Sequence, residues 1–283
     1  MSGKMTLADL RDLKRQHRPI SMLTCYDYGT AVLLQRAQIH SILVGDSAAQ
    51  VVLGHPTTLP ISMDVMVALS AAVRRGAPDL FLMGDMPFLS YQASTQQALL
   101  NAGRFLAEAG CDAVKLEVTG YHLPLVETLS EANIPVFAHL GLRPQAVHQM
   151  GTFKAQGQTA EQGRQIILDG LDMVKAGACG ILLECVTAEV AKVMTEKADV
   201  PVISCGSGPD CDGQVMVLHD ILGLPGAGEA RFAKRYADIG DQIHQAVSRY
   251  AEEIHERRFP DGDHSYHIKG EEKESFAKMM KEL

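Results

Sequence analysis

Short runs of consecutive apolar residues alternate along the chain with longer stretches in which apolar positions recur every three or four residues. The runs, at 20–26, 41–46, 80–85, 113–117, 134–139, 180–185, 200–204 and 215–219, predict strands. The periodic stretches predict helices over 28–38, 62–76, 94–109, 123–132, 159–177 and 187–198, with an amphipathic helix near 6–16 before them and a long one near 237–257 after them. Strands rich in Val, Ile and Leu without polar alternation are covered on both faces, as parallel strands between helices are. Eight of them with intervening helices predict an α/β fold, a (β/α)8 TIM barrel with an N-terminal helix and a C-terminal helical extension. No Ser/Gly linker interrupts residues 1–267, which read as a single catalytic domain, and 268–283 read as a charged tail. An open doubly wound sheet is the alternative, but the first strand runs into "CYDYGTA", without the G-x-G-x-x-G of a dinucleotide site.

Four of the runs end in a carboxylate: "SILVGDS" at Asp46, "LFLMGD" at Asp85, "DAVKLE" at Glu117 and "GILLE" at Glu184. A barrel gathers its strand C-termini at one mouth, where active sites sit, so all four acids are expected to face it. Each could cap the next helix, but the predicted helices begin several residues after Asp46, Asp85 and Glu117. Carboxylates that converge repel one another unless a cation lies among them. Oxygen ligands favour Mg²⁺, which leaves coordination positions for a bidentate substrate such as a 2-oxo acid. Lys115, two residues before Glu117, shares its face; it either meets a substrate carboxylate or oxyanion or makes a structural salt bridge. Glu184, flanked by Leu182, Leu183 and Val186, suits a general base for a carbon acid. Its alternatives are a fourth metal ligand or a buried partner of His139 or Lys115. His139 is either a possible substrate contact or a satisfied core histidine. The long loop 143–158 reads as a lid or an oligomer contact, with Lys154 facing either an anionic cosubstrate or solvent.

Charge narrows the partners. Thirty-four acidic against 26 basic residues give a net charge of −8, with the basic residues scattered, which argues against nucleic acid or an anionic membrane surface. No apolar stretch approaches the roughly 20 residues of a membrane span. Charges in "MSGKMTLADLRDLKRQ" do not suit a signal peptide, so a cytoplasmic location is expected. The six cysteines show no C-x-x-C spacing and are expected as free thiols. Cys185, next to Glu184, is expected on the opposite face of its strand.

"CYDY", "VGDS", "GH-x-x-TLP", "AAVRRGAP", "GDMPF", "VKLE", "HLGL-x-PQ", "LLECV", "DGQ-x-x-x-xHD" and "HSYH" occur in this order between about residues 5 and 267. Together they resemble the signature blocks of the ketopantoate hydroxymethyltransferase family. The resemblance implies a barrel of the phosphoenolpyruvate/pyruvate type, a homodecamer, and a place in pantothenate biosynthesis. It implies transfer of a one-carbon unit from 5,10-methylenetetrahydrofolate to 3-methyl-2-oxobutanoate, giving 2-dehydropantoate. By motif position it puts Mg²⁺ on Asp46, Asp85 and Glu117, substrate on Asp46, Ser47, Asp85 and Lys115, and the proton acceptor on Glu184.

Departures from the family pattern are Leu69 for histidine, Val118 for glycine, "SCGSG" for "GIGAG", and Thr152 for a glycine of the loop. Val118 matters most, because a β-branched residue takes positive φ or a close backbone approach poorly. An enzymatic rival, a Mg²⁺-dependent C–C lyase or mutase of the same superfamily, is expected to carry a "KKCGH"-like stretch that is missing here. A non-catalytic metabolite-binding paralogue would tolerate loss of the four carboxylates, which all remain. In the tail, Phe276, Met279 and Met280 form a small apolar stripe, and a frayed, solvated segment is expected.

Overall fold

A computed structural model describes residues 3–151, 154–226 and 230–282. Eight strands, β1 (Ile20–Thr24), β2 (Ser41–Val44), β3 (Phe81–Asp85), β4 (Ala113–Glu117), β5 (Val136–Gly141), β6 (Gly180–Glu184), β7 (Val202–Cys205) and β8 (Gly213–Met216), close into a barrel in chain order. Every neighbouring pair is parallel, and β8 pairs back onto β1. Helices Tyr28–Arg36, Met63–Gly76, Thr95–Ala107, Leu123–Glu131, Ala160–Lys175 and Ala188–Lys197 connect successive strands, as their periodicity predicted. Asp27, Ser62, Ser94 and Thr159 each accept a backbone N–H at the start of the helix that follows, which is why those helices begin where they do.

The chain separates into two compact units, residues 1–237 and 238–283. The barrel lies in the first. The second holds the long helix Ile239–His255 and the helix Gly270–Met279, so the tail expected to fray is helical. Along Ile239–His255, Ile243, Val247, Tyr250 and Ile254 form an exposed apolar stripe.

Alternation inside the strands sorts the core into two layers. Phe81, Met83, Ala113, Phe137, Leu182 and Ile203 point into the barrel, where the N-terminal helix Leu7–Arg15 adds Leu10 and Leu13. Leu82, Val114, Leu116, Val136, Ala138, Ile181 and Leu183 point outward beneath the helices. Gly180 makes this interior possible, since a Cβ there would meet the Phe137 ring at 2.2 Å. The same parity carries Asp85, Lys115, Glu117, His139 and Glu184 inward, because each lies an even number of residues from an inward core position on its own strand.

Gly141 ends β5 with φ +94°, and a Cβ there would lie 2.4 Å from the Glu184 carbonyl oxygen. Gly141→Ala is expected to cost about 2–4 kcal/mol from positive φ plus overlap, read as a lower urea midpoint. An unchanged midpoint would show that β6 yields freely at Glu184.

Candidate active site

The C-terminal mouth of the barrel opens into a cavity of about 920 Å³, whose lining includes Asp46, Ser47, Asp85, Lys115 and Glu184. Five of the seven residues singled out from the sequence therefore share one wall. Glu117 and His139 are buried behind it and do not line the cavity. His139, weighed from the sequence as a substrate contact, is instead a packed residue between two that do face the cavity.

β3 and β4 are in register at Asp85 and Lys115. Lys115 Nζ stands 2.9 Å from Asp85 Oδ1, close enough for an ion pair but off the angle of a hydrogen bond, so that buried oxygen has no directed donor. Asp85 Oδ2 accepts the backbone N–H of Asp46 at 2.9 Å. Burial pushes the Asp85 carboxyl up; Lys115 opposes the rise and Asp46 adds to it. Burial works against the Lys115 ammonium, but the carboxylates of Asp85, Asp46 and Glu117 outweigh it, so its pKa is raised and it stays charged.

Gln145, quoted in "HLGL-x-PQ" but given no role, organises the rest. Its Nε2 donates to Asp46 Oδ2 and to the Met86 carbonyl, both at 2.9 Å. Its backbone N–H lies 3.1 Å from both Glu117 oxygens, and its Oε1 accepts from Tyr91 OH at 2.9 Å. Tyr91 OH also reaches the Glu117 carbonyl. Burial raises the Glu117 carboxyl well above its usual range, against the opposing charge of Lys115. Gln145→Ala would strip the Met86 carbonyl and Asp46 of a donor, at about 1–3 kcal/mol. The expected result is a lower unfolding midpoint and weaker divalent-cation binding by isothermal titration; unchanged values for both would rule out a positioning role.

Lys115 Nζ lies 3.3 Å from His139 Nδ1, and an ammonium can only donate, so Nδ1 is the acceptor and the proton sits on Nε2. Burial, reinforced by Lys115, lowers the His139 pKa and keeps the ring neutral. Its Nε2–H then faces Glu184 Oε2 at 3.3 Å, again outside hydrogen-bond geometry. His139 thus links the lysine to the carboxylate without touching the cavity. Tyr26 OH and Ser47 Oγ are 2.8 Å apart, which fixes the Ser47 hydroxyl on the wall.

Several loops differ from expectation. A short helix, Ala48–Val51, begins right after Asp46 and Ser47, yet no side chain caps it, so the role of Asp46 is not capping. Within loop 143–158, Gln156 bridges to Val186 and donates its N–H to the Cys185 carbonyl, which ties that part of the loop to the segment after β6. Cys185 has φ +50°, which breaks the strand alternation and turns it onto the cavity wall with Glu184, against the expectation from neighbouring positions. All six cysteines are free; Cys25, Cys111 and Cys179 are buried, while Cys185, Cys205 and Cys211 are half-buried.

The family departures fall into place. Val118 is absent from the positive-φ residues and is buried in the outer core, so no glycine is needed there. Leu69 packs against the same core, away from the cavity. Thr152 lies outside the described residues. In "SCGSG", Ser207 donates to the Leu183 carbonyl and accepts the Val186 N–H, while Ser204 accepts the Ser207 N–H, each at 2.9 Å. Ser207 therefore braces the segment on either side of Glu184, and Ser204 holds Ser207 in place.

The chemistry of the donor set suits a divalent cation. Its donors are all carboxylate oxygens, Asp85 Oδ1 lacks a directed donor, and the buried acids repel. Among the described residues, however, no three His, Cys, Asp or Glu side chains stand together in a metal-holding group. Glu117 is engaged with Gln145, which leaves Asp46 and Asp85 as the nearer pair. Two carboxylates completed by water and substrate are an ordinary Mg²⁺ environment.

A closed parallel barrel with carboxylates, a charged lysine and a neutral histidine at its C-terminal mouth defines an enzyme of the (β/α)8 class suited to small anionic carbon acids. The family model for ketopantoate hydroxymethyltransferase matches residues 4–262. The 3-methyl-2-oxobutanoate hydroxymethyltransferase of Koribacter versatilis is 43% identical over 266 residues, covering 94% of this chain and 90% of the relative. That of Moorella thermoacetica is 43% identical over 264 residues, covering 93% and 98%. The chain belongs to the ketopantoate hydroxymethyltransferase family. Its fold is shared with phosphoenolpyruvate phosphomutase from Streptomyces platensis subsp. rosaceus (TM-score 0.59, 15% identity, 98% and 96% of the two chains). It is also shared with 2,3-dimethylmalate lyase (TM-score 0.56, 13% identity, 92% and 89%).

Proposed function

We propose that this chain transfers a hydroxymethyl group from 5,10-methylenetetrahydrofolate to 3-methyl-2-oxobutanoate, giving 2-dehydropantoate for pantothenate biosynthesis. The observation that carries the reading is the juxtaposition, on one cavity wall, of the charged Lys115 with the cavity-facing carboxylate of Glu184. A 2-oxo acid whose carboxylate lies against Lys115 and the Ser47 hydroxyl presents its C3 hydrogen toward Glu184. Glu184 takes that proton and the carbanionic C3 bonds to the methylene carbon of the cosubstrate. Both bonds of that carbon to nitrogen break, one water supplies the hydroxyl group, and tetrahydrofolate leaves with two protons, one from Glu184 and one from the water. Neutral His139, whose Nε2–H faces Glu184 Oε2 at 3.3 Å, packs behind the Glu184 carboxylate and does not itself compete for the proton. Lys115 offsets the negative charge that develops on the substrate oxygens. Asp46 and Asp85 are the residues that would hold Mg²⁺, with Glu117, engaged by the Gln145 N–H, behind them; the ion would supply positive charge to the oxygens of the 2-oxo acid.

The test is 2-dehydropantoate formation from both substrates with and without EDTA. Loss of product on chelation and recovery with Mg²⁺ are expected; full activity in EDTA would remove the metal from the mechanism, and no product from the native enzyme would overturn the activity.

The exposed stripe of Ile243, Val247, Tyr250 and Ile254 supports a homo-oligomer, a decamer by family resemblance, because apolar stripes of this kind mark contact surfaces. Light scattering is expected to give a mass well above 30.7 kDa, reduced by Val247→Asp; a monomeric native protein would sink this reading. No described helix is long and apolar enough to cross a membrane, and six free thiols support a cytoplasmic site of action.

A further inference from the structure

Two thiols share the cavity wall with the proton acceptor and take no part in the reaction drawn above. Cys185 follows Glu184 at the end of β6, and Cys205 ends β7 as the register partner of Glu184. Both line the cavity. The other four thiols are remote from this pair. Cys25 is buried after β1, while Cys111, Cys179 and Cys211 precede β4, β6 and β8 and so lie at the opposite end of the barrel.

We propose that Cys185 and Cys205 are a redox pair, a site of reversible oxidation that closes to an intramolecular disulfide between the ends of β6 and β7 and idles Glu184. Three observations carry it. First, the Cys185 N–H donates to the Cys205 carbonyl at 2.9 Å, so the two backbones run side by side. Cys205 is level with Glu184, which puts Cys185 one step along the diagonal. With strands about 4.8 Å apart and a rise of about 3.3 Å per residue, the Cα atoms are roughly 5.8 Å apart. Disulfides span Cα separations of about 4.4–6.8 Å.

Second, both side chains open onto one space. Cys205 lies two residues beyond the inward-facing Ile203 and packs with the barrel interior. Strand alternation alone would send Cys185 the other way, but its φ of +50° turns it onto the cavity wall. The position of Cys205 is isoleucine in the "GIGAG" of the family pattern, so the pair is particular to "SCGSG".

Third, the flanking backbone is already held. Ser207 engages the Leu183 carbonyl and the Val186 N–H, and the Cys185 carbonyl accepts the Gln156 N–H. Closure therefore falls on the side chains, and Glu184 is the side chain with a bridged residue both beside it and opposite it. A displacement of about 1 Å at a reacting group costs on the order of 10²-fold in rate.

A peroxide is the oxidant. It takes one thiol to the sulfenic acid with release of water; the second sulfur then attacks the first, the S–O bond breaks, and a second water leaves. Two electrons pass from sulfur to each peroxide that bridges a pair. Exchange with a dithiol reverses the step, opening the bridge as the dithiol becomes the disulfide. Burial, with the Glu184 carboxylate adding to it, raises both thiols, Cys185 to about 11 and Cys205 well above its usual range. The pair therefore stays reduced until oxidant is sustained.

The test treats the full-length protein with hydrogen peroxide, and separately with diamide, which joins thiol pairs without carrying a single thiol to higher acids. Intact mass is expected to fall by two hydrogens per chain, and a non-reducing peptide map to link Cys185 to Cys205. Exchange of the C3 hydrogen of the oxo acid in D₂O should drop by about tenfold or more and return with dithiothreitol. Cys205→Ser keeps the size and cannot bridge; diamide should give it no linked peptide and leave its exchange within about twofold of its own untreated rate. Native protein with no Cys185–Cys205 peptide, with links only between copies, or with the link formed and exchange within twofold of untreated would overturn the proposal. The peptide map reads the bridge whichever reaction the cavity performs, and exchange by untreated native protein reads the proposed activity by itself.

Discussion

Glu184→Gln is expected to lower kcat by about 10²–10⁴-fold, the usual contribution of a positioned general base, with little change in affinity for the oxo acid. Glutamine keeps the shape at the end of β6 and still presents an oxygen toward His139 Nε2, which faces Glu184 Oε2 at 3.3 Å. It cannot take a proton from carbon. The measurement that isolates this step is NMR of C3 hydrogen exchange in D₂O with the oxo acid alone, where the variant should be nearly silent while its binding isotherm stays close to native. Exchange at a rate within about threefold of native would move the base elsewhere, and the neutral, buried His139 could not replace it without leaving its place between Lys115 and Glu184.

Asp85→Asn is expected to be the most damaging single change in both stability and activity. The side chain is buried, sits 2.9 Å from the Lys115 ammonium and accepts the Asp46 N–H. Removing one member of a buried pair costs about 3–5 kcal/mol because the other charge is left uncompensated. Asparagine preserves the hydrogen bond from Asp46 but not the charge. The loss should therefore appear as a lower urea midpoint at unchanged slope, together with loss of cation binding by titration. Lys115→Met combined with Asp85→Asn should regain part of the stability and none of the activity, since the double change removes the orphaned charge but also the groups that meet substrate. A double variant no more stable than Asp85→Asn alone would show that the pair is not energetically coupled.

Both expectations rest on residues that pattern reading found, because strand parity is a local property. Lys115 and Glu117 share a face by spacing alone, and Asp85 and Glu184 end apolar runs whose inward positions are set by the same period of two. The long apolar strands and the helical periods likewise carried the barrel, since burial on both faces leaves a direct mark on composition. Loop chemistry left weaker marks. Gln145 lies far along the chain from Asp46, and no periodicity announces that its loop dips into the mouth to join Asp46 and Glu117. Tyr26 meets Ser47 only because β1 and β2 are neighbours in the closed sheet. Cys185 was misplaced for a physical reason: alternation assumes extended backbone, and its φ of +50° ends the strand at Glu184.

The amino-acid sequence by itself determined the strand and helix order, the inward carboxylates and lysine, and the family blocks, all of which are local periods and spacings. Only the tertiary structure decided that Glu117 and His139 stand behind the cavity wall, that Gln145 couples the acids, and that Val118 needs no glycine geometry. Those facts depend on which side chains from distant loops compete for the same buried donors and acceptors once the barrel closes, and the number and direction of such partners are written in no single segment of the chain.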